Sequence, residues 1–347
     1  MKTFATLPPD ERALFFRKFQ DLHGIDPVIV EKDFWVGWLL GRIFAQPALG
    51  DIAVFKGGTS LSKVFGAIAR FSEDVDLGIS PAALGWPEEK LESATKNAWT
   101  ERIRPQLESA CAKHVLEHWR PLLEADIRAQ LGDSGGGAWL AYKLDEVSHS
   151  PVLIFDYPGA LPRGGIAYIP RAVKIEFGSL SDQRPAGRHH VTAMVAELAP
   201  TAFSDFGAEV VALEIERSFW EKATILHAEF HRPADKKLID RYARHYADFA
   251  ALWRHPSAHG ARHQFDLLAR VCHHKSRFFS SGWANYATAV PGSLRLVPPD
   301  HRLPELRSDY AAMRQMFLNE PLTFEEILAI LREAEQVLNS TPPREPK

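Results

Sequence analysis

The sequence predicts an α+β protein: a mixed α/β portion to roughly residue 215, then a portion that is almost wholly helical. Three observations carry this. Short apolar runs bounded by turn residues recur before residue 215, at 52–55, 75–79, 152–157 and 172–177. Stretches with the 3.6-residue helical period flank them. From about Ser218 the strand-like runs stop and the helical period continues.

Taken in order, Pro8-Pro9-Asp10-Glu11 opens a helix carrying Leu14, Phe15, Phe19 and Leu22 at helical spacing, and Gly24 ends it. Asp26-Pro27 starts a second helix that runs to about Phe44. Gly37, Gly41 and Arg42 interrupt its apolar run, which is too short to span a bilayer and reads as a buried helix. A buried strand at 52–55, a short helix at 59–65 and a strand at 75–79 follow. The stretch 87–131 has a helical period, with Pro105 and Pro121 as expected breaks. Gly135-Gly136-Gly137 marks a loop. Strands are expected at 142–147, 152–157, 172–177 and 210–215, with a loop over 178–190. Thr323-Phe324-Glu325-Glu326 is a capping box that opens the last helix. The tail 341–347, with three prolines, is expected to be disordered. The domains expected are therefore a mixed lobe over 1–215 and a helical lobe over 216–340, packed around one cleft.

Composition narrows the function classes. The chain has 347 residues, 41 Lys and Arg against 44 Asp and Glu, and a net charge of −3. A polyanionic partner must therefore be met by a local basic patch rather than by the whole surface. Two distant cysteines, Cys111 and Cys272, point to reduced thiols in a cytoplasmic setting rather than to a disulfide framework. Nothing in the apolar pattern predicts a membrane segment or a secretory signal.

The chemistry concentrates in one place. Gly57-Gly58-Thr59-Ser60 follows a strand and opens a helix. Glycine lets the backbone approach a ligand, helix-start amides favour an anion, and Thr59 and Ser60 add hydroxyls. Taken alone, this is an ordinary strand–helix turn, and it lacks P-loop spacing. Asp74 and Asp76 follow, with alternation placing both carboxylates on one strand face and Val75 and Leu77 on the other. Paired carboxylates repel unless a cation sits between them, and hard divalent ions, Mg²⁺ above all, suit such ligands. Two Mg²⁺ ions could activate an attacking oxygen and stabilise a leaving pyrophosphate. Glu176 would complete a carboxylate triad if its strand lies beside that of Asp74 and Asp76. An exposed Lys174–Glu176 salt bridge is an equal alternative.

Downstream, Glu221-Lys222 begins a helical run, and Lys237, Arg241, Arg244 and Asp248 have the spacing of one helix face. That basic stripe is a candidate polyphosphate or nucleic-acid surface, with a solvated face as the alternative. The pairs His227/His231 and His259/His263 and the run Cys272-His273-His274 lack the spacing of a zinc site. Phe278, Phe279, Trp283 and Tyr286 read as core rather than as a base-stacking platform.

Together, Phe55-Lys56-Gly57-Gly58-Thr59-Ser60-Leu61 and Arg70-Phe71-Ser72-Glu73-Asp74-Val75-Asp76-Leu77 resemble the AbiEii-type nucleotidyltransferase toxins of type IV toxin–antitoxin systems. Glu31-Lys32-Asp33, residues 173–177, Glu221-Lys222-Ala223 and Arg244-His245-Tyr246-Ala247-Asp248 extend the likeness over about 30–250. The resemblance implies a polymerase-β-like nucleotidyltransferase fold: a small mixed sheet flanked by helices, with a helical C-terminal lobe. It implies Mg²⁺-dependent transfer of a nucleotide from an NTP to an acceptor, the tRNA 3′ end, by a cytoplasmic toxin of phage defence. It also implies an antitoxin encoded nearby that need not touch the toxin. Gly57, Gly58, Thr59 and Ser60 would hold the triphosphate, Asp74 and Asp76 would bind Mg²⁺, Lys222 would grip phosphates, and Asp248 would position the nucleotide or base. Modification of a protein or small molecule, and a non-catalytic nucleotide-binding module, are the rival readings.

Overall fold

The computed structural model describes residues 1–95, 98–146, 148–162, 170–200, 206–279 and 281–340. The expected disordered tail, 341–347, lies outside the described residues. Pro9 and Pro27 stand at first helical positions, where a missing N–H is tolerated. They open helices α1 (Pro9–His23) and α2 (Pro27–Phe44). Gly24 ends α1 in the left-handed region at φ 72°. Asp26 caps α2, its carboxylate accepting from the Val28 N–H at 2.8 Å. The buried face of α1 is Arg12, Ala13, Phe16 and Phe19, whereas Leu14 and Leu22 are exposed. Arg12 turns inward, and backbone carbonyls accept from its two terminal nitrogens: it donates to Ala5 O at 3.0 Å and Pro158 O at 2.8 Å.

The short helix α3 (Gly57–Lys63) connects β1 (Ala53–Lys56) towards β2 (Val75–Ile79). Helices α4 (Arg104–His114) and α5 (Arg120–Leu131) follow. Pro105 and Pro121 do not break this stretch. A five-residue π-helical turn precedes each, Trp99–Ile103 and Val115–Trp119. The wider turn lets the chain pass a residue that has no N–H to donate.

Five more strands complete a seven-stranded mixed sheet: β3 (Leu140–Leu144), β4 (Pro151–Phe155), β5 (Val173–Gly178), β6 (Ala186–Thr192) and β7 (Gly207–Leu213), in the order β3-β4-β5-β2-β1-β7-β6. Strand β2 runs antiparallel to β1 and parallel to β5. Strand β6 occupies residues expected to form a loop. It is an edge strand pairing only with β7, with Val191 its one buried residue, so no apolar alternation marks it in the sequence. Helix α2 lies close on the sheet at Gly41, where an added Cβ would sit 3.2 Å from the Ala208 Cβ.

The chain divides into two compact units. One comprises residues 1–64 and 72–213 and holds the sheet. The other comprises 65–71 and 214–347, so the middle of the connection between α3 and β2 belongs to the helical unit. That unit is built on α6 (Ile215–Phe230), α7 (Ala243–Arg254), α8 (Phe265–Phe278), α9 (Leu303–Ala312) and α10 (Phe324–Ser340). The expected capping box opens α10: the Glu326 carboxylate accepts from the Thr323 N–H at 2.7 Å, and Thr323 Oγ1 accepts from the Glu326 N–H at 3.2 Å. No helix among the described residues is long and apolar enough to cross a membrane.

Candidate active site

The turn after β1 exists because residue 57 is glycine. Its φ is +81°, and an added Cβ would overlap Asp76 Oδ2. The Gly-Gly turn and the carboxylate strand are thus packed directly on each other. The two hydroxyls expected to face a phosphate are engaged inside the turn instead. Thr59 is fully buried, and Oγ1 lies 2.5 Å from the Asp74 carbonyl and 2.9 Å from Ser72 Oγ. Ser60 Oγ donates to the Gly57 carbonyl at 3.3 Å. Thr59 therefore ties α3 to the backbone of Asp74.

Asp74 stands immediately before β2 and Asp76 within it. Parallel pairing of β2 with β5 sets Asp76 opposite Glu176 and Val75 opposite Ile175. On β5, Val173, Ile175 and Phe177 are buried, while Lys174 and Glu176 share the more open face. The sequence-predicted adjacency of Glu176 to the Asp-x-Asp strand is realised, and so is its salt bridge: Lys174 Nζ lies 2.8 Å from Glu176 and 3.8 Å from Asp145. Burial pushes both aspartates towards the protonated form, Asp76 up to about 6. Glu176 and Asp74 add to this at Asp76, while Lys56 and Lys174 oppose it. Among the described residues no cluster of three or more His, Cys, Asp or Glu side chains is arranged to hold a metal ion. The donor set is the aspartate pair, which fits an ion whose remaining ligands are substrate phosphates and water.

Behind this face lies a scaffold that sequence reasoning did not assign. Glu31, Lys32 and Asp33 are consecutive on α2 and all buried. Lys32 donates to Glu73 at 2.6 Å and to the Pro170 carbonyl at 2.8 Å. Asp33 accepts from Lys63 of α3 at 2.6 Å and from the Met194 N–H at 2.7 Å. Glu31 accepts from the Ala160 N–H. One turn of α2 thus holds the end of α3 and the residue before Asp74. The signal was present: three charges in an apolar helix must be partnered inside the protein.

The helical unit contains its own cluster. Lys222, on α6, is buried and donates to Asp248 Oδ2 at 2.7 Å; its Nζ lies 3.1 Å from His245 Nδ1. Arg70 grips the same carboxylate in a two-pronged contact, Nε to Oδ1 at 2.7 Å and an Nη to Oδ2 at 2.8 Å. Burial would raise the Asp248 carboxyl, but Arg70 and Lys222 outweigh it and hold Asp248 well below the usual carboxylate range. Burial, then Lys222 and Arg244, push His245 well down, so the neutral ring can accept from the Lys222 ammonium. Lys222 itself is lowered by burial against the pull of Asp248.

The basic stripe does not form. Helix α7 starts only at Ala243, so Lys237 and Arg241 lie outside it and share no helix face with Arg244 and Asp248. Asp309 makes this start, accepting from the Arg241 N–H at 2.6 Å and the Ala243 N–H at 2.8 Å, with Arg241 at φ 63°. His227 is a structural histidine, its Nδ1 accepting from the Arg295 N–H at 3.0 Å.

The sequence model described as nucleotidyl transferase AbiEii toxin, type IV TA system, matches residues 38–330. The chain belongs to the AbiEii family. It is a nucleotidyltransferase of that toxin family. Among solved structures, it is similar to MenT4, a nucleotidyltransferase toxin from Mycobacterium tuberculosis H37Rv. The TM-score is 0.50 at 15% identity, over 97% of this chain and 91% of that one. At that identity the likeness bears on the fold alone. A search of curated proteins returned no match. The AbiEii match spans the Gly57-Gly58 turn, Asp74, Asp76, Lys222 and Asp248.

Proposed function

We propose that this AbiEii-family chain transfers a nucleotidyl group from an NTP to the 3′ end of tRNA in a Mg²⁺-dependent reaction, as a cytoplasmic toxin of a type IV system. The acceptor hydroxyl attacks the α-phosphorus, the bond from the α-phosphorus to the bridging oxygen breaks, and pyrophosphate leaves with that electron pair. Asp74 and Asp76 would hold the metal ions. Bound Mg²⁺ would activate the attacking oxygen and neutralise the leaving phosphates.

The observation that carries this reading is the carboxylate pair packed on the Gly57-Gly58 turn. Two half-buried aspartates whose proton affinity is raised by burial, and further by Glu73 at Asp74 and by Glu176 and Asp74 at Asp76, favour a cation at that face. The backbone at Gly57 and Gly58 would meet the triphosphate, with Thr59 and Ser60 shaping the turn. Lys222 would supply charge to the phosphates, held in place by Asp248 and His245. Asp248 would act as a positioning residue rather than as a group that touches the base, because Arg70 and Lys222 already occupy its oxygens. Glu176 would remain with Lys174 and bias the field at Asp76. The basic residues Lys237, Arg241 and Arg244 are proposed as separate contacts for an RNA backbone. The antitoxin would be a genetic partner with no obligatory contact.

The test is transfer of label from each NTP to total tRNA by the wild type and by Asp74→Asn/Asp76→Asn. Label on protein instead of RNA would move the acceptor, not the chemistry.

A further inference from the structure

Four lysines surround the carboxylate face and its turn, and three are paired. Lys32 holds Glu73 at 2.6 Å, Lys63 holds Asp33 at 2.6 Å and Lys174 holds Glu176 at 2.8 Å. The fourth, Lys56, forms no ion pair or hydrogen bond through its ammonium among the described residues. It is the last residue of β1, directly before Gly57, and stands opposite Asp76 in the antiparallel register.

Its side chain runs across a floor of bare backbone. Gly78 and Gly178 are paired neighbours on β2 and β5, two residues beyond Asp76 and Glu176 on the same face. A Cβ at Gly78 would lie 3.7 Å from Lys56 Cδ, and one at Gly178 would lie 3.9 Å from Lys56 Cε. These are van der Waals distances, so the lysine stem lies directly over the two glycines. Gln183 fixes this floor, donating to the Gly78 carbonyl at 2.7 Å and the Ile52 carbonyl at 2.9 Å. A half-buried lysine whose ammonium makes no ion pair or hydrogen bond among the described residues, beside a turn that admits close backbone approach, is built to receive an anion.

We propose that Lys56 is a polyphosphate-binding residue of this site, taking the phosphate chain of the NTP or the departing pyrophosphate at the end of β1. This rests on the nucleotidyltransferase reading of the Asp74/Asp76 face. Two facts favour a phosphate ligand over a mere cover for the glycines. The ammonium, not only the stem, lies where its charge acts on Asp76. The other three lysines show that this region supplies carboxylates to the lysines it immobilises.

The test is calorimetric binding of inorganic tripolyphosphate and pyrophosphate, with and without Mg²⁺, to the wild type, Lys56→Met, Lys56→Arg and Lys143→Met. Methionine keeps an apolar stem over Gly78 and Gly178, and Lys143 is an exposed lysine on β3. A lost charge-assisted hydrogen bond weakens Lys56→Met about tenfold or more. Lys56→Arg should retain most of the binding, and Lys143→Met should match the wild type. Unfolding curves of the variants should coincide. Wild-type affinity in Lys56→Met overturns the inference and leaves the transferase reading standing. Failure of the wild type to bind any polyphosphate overturns both.

Discussion

Replacing Gly57 by alanine tests the packing of turn on carboxylate more sharply than replacing the carboxylate itself. Residue 57 sits at φ +81°, where an L-residue costs roughly 1–2 kcal/mol. The new methyl would overlap Asp76 Oδ2 and lie 3.0 Å from its Cγ and 3.2 Å from its Cβ. Rotation of the carboxylate about Cβ–Cγ moves its oxygens but leaves Cγ in place, so the Asp76 side chain must turn about Cα–Cβ, away from the face it shares with Asp74. The fold should survive, with the melting temperature falling by about 2–4 °C per kcal/mol for a unit of this size. Transfer should fall by about 100-fold or more, the scale on which displaced electrostatic groups act. Gly85→Ala is the control, at φ +84° with nothing within 4 Å of the added methyl. It carries the backbone strain without the collision and should keep both Mg²⁺ binding and transfer. The assay is label transfer alongside thermal unfolding of both variants. Gly57→Ala with transfer within a few-fold of wild type would refute the reasoning, as would an equal loss in Gly85→Ala.

The raised Asp76 carboxyl, at about 6, sets a pH dependence. The folded state holds this proton more tightly than the unfolded chain, so its contribution favours folding at low pH and is lost as pH rises towards 6. A divalent ion needs the ionised form; apparent Mg²⁺ affinity should therefore fall about tenfold per unit below pH 6 and level off above it, read by Mg²⁺-dependent thermal shifts, and a flat profile from pH 5 to 8 would remove the coupling. Asp248→Ala leaves two buried cations facing each other and should cost about 3–5 kcal/mol, partly recovered by adding Arg70→Met, as measured by denaturant unfolding. A loss below about 1 kcal/mol would show that Asp248 does not hold the cluster. Thr59→Val keeps the shape but removes the hydroxyl on the Asp74 carbonyl; it should cost about 1–3 kcal/mol and reduce transfer, and unchanged stability would show that this contact does not fasten the turn.

Much of the fold was legible because the chain writes it in period and punctuation. Pro9, Gly24, Asp26, Pro27 and the Thr323–Glu326 box act where their chemistry predicts. The failures have equally specific causes. Strand β6 hides because an edge strand with one buried residue has no apolar signature. Pro105 and Pro121 mislead because π-helical turns absorb them. The stripe from Lys237 to Asp248 misleads because Asp309, 66 residues beyond Ala243 in sequence, sets the start of α7. Within the candidate site, Asp74, Asp76 and Glu176 gather on neighbouring strands as alternation implies, while the roles of Thr59, Lys32 and Arg70 depend on partners that spacing does not reveal. The sequence singles out Lys222 and Asp248 separately; their mutual contact is seen only in the structure.

The central claim is that the Asp74/Asp76 face performs nucleotidyl transfer. The most direct measurement incubates purified protein with Mg²⁺, each labelled NTP in turn and total bacterial tRNA, beside the Asp74→Asn/Asp76→Asn variant of matched folded content. The account predicts label on the tRNA 3′ end from the wild type with at least one NTP and none from the variant. Equal labelling by the two proteins, or none by the wild type on RNA or protein with any NTP, would contradict it.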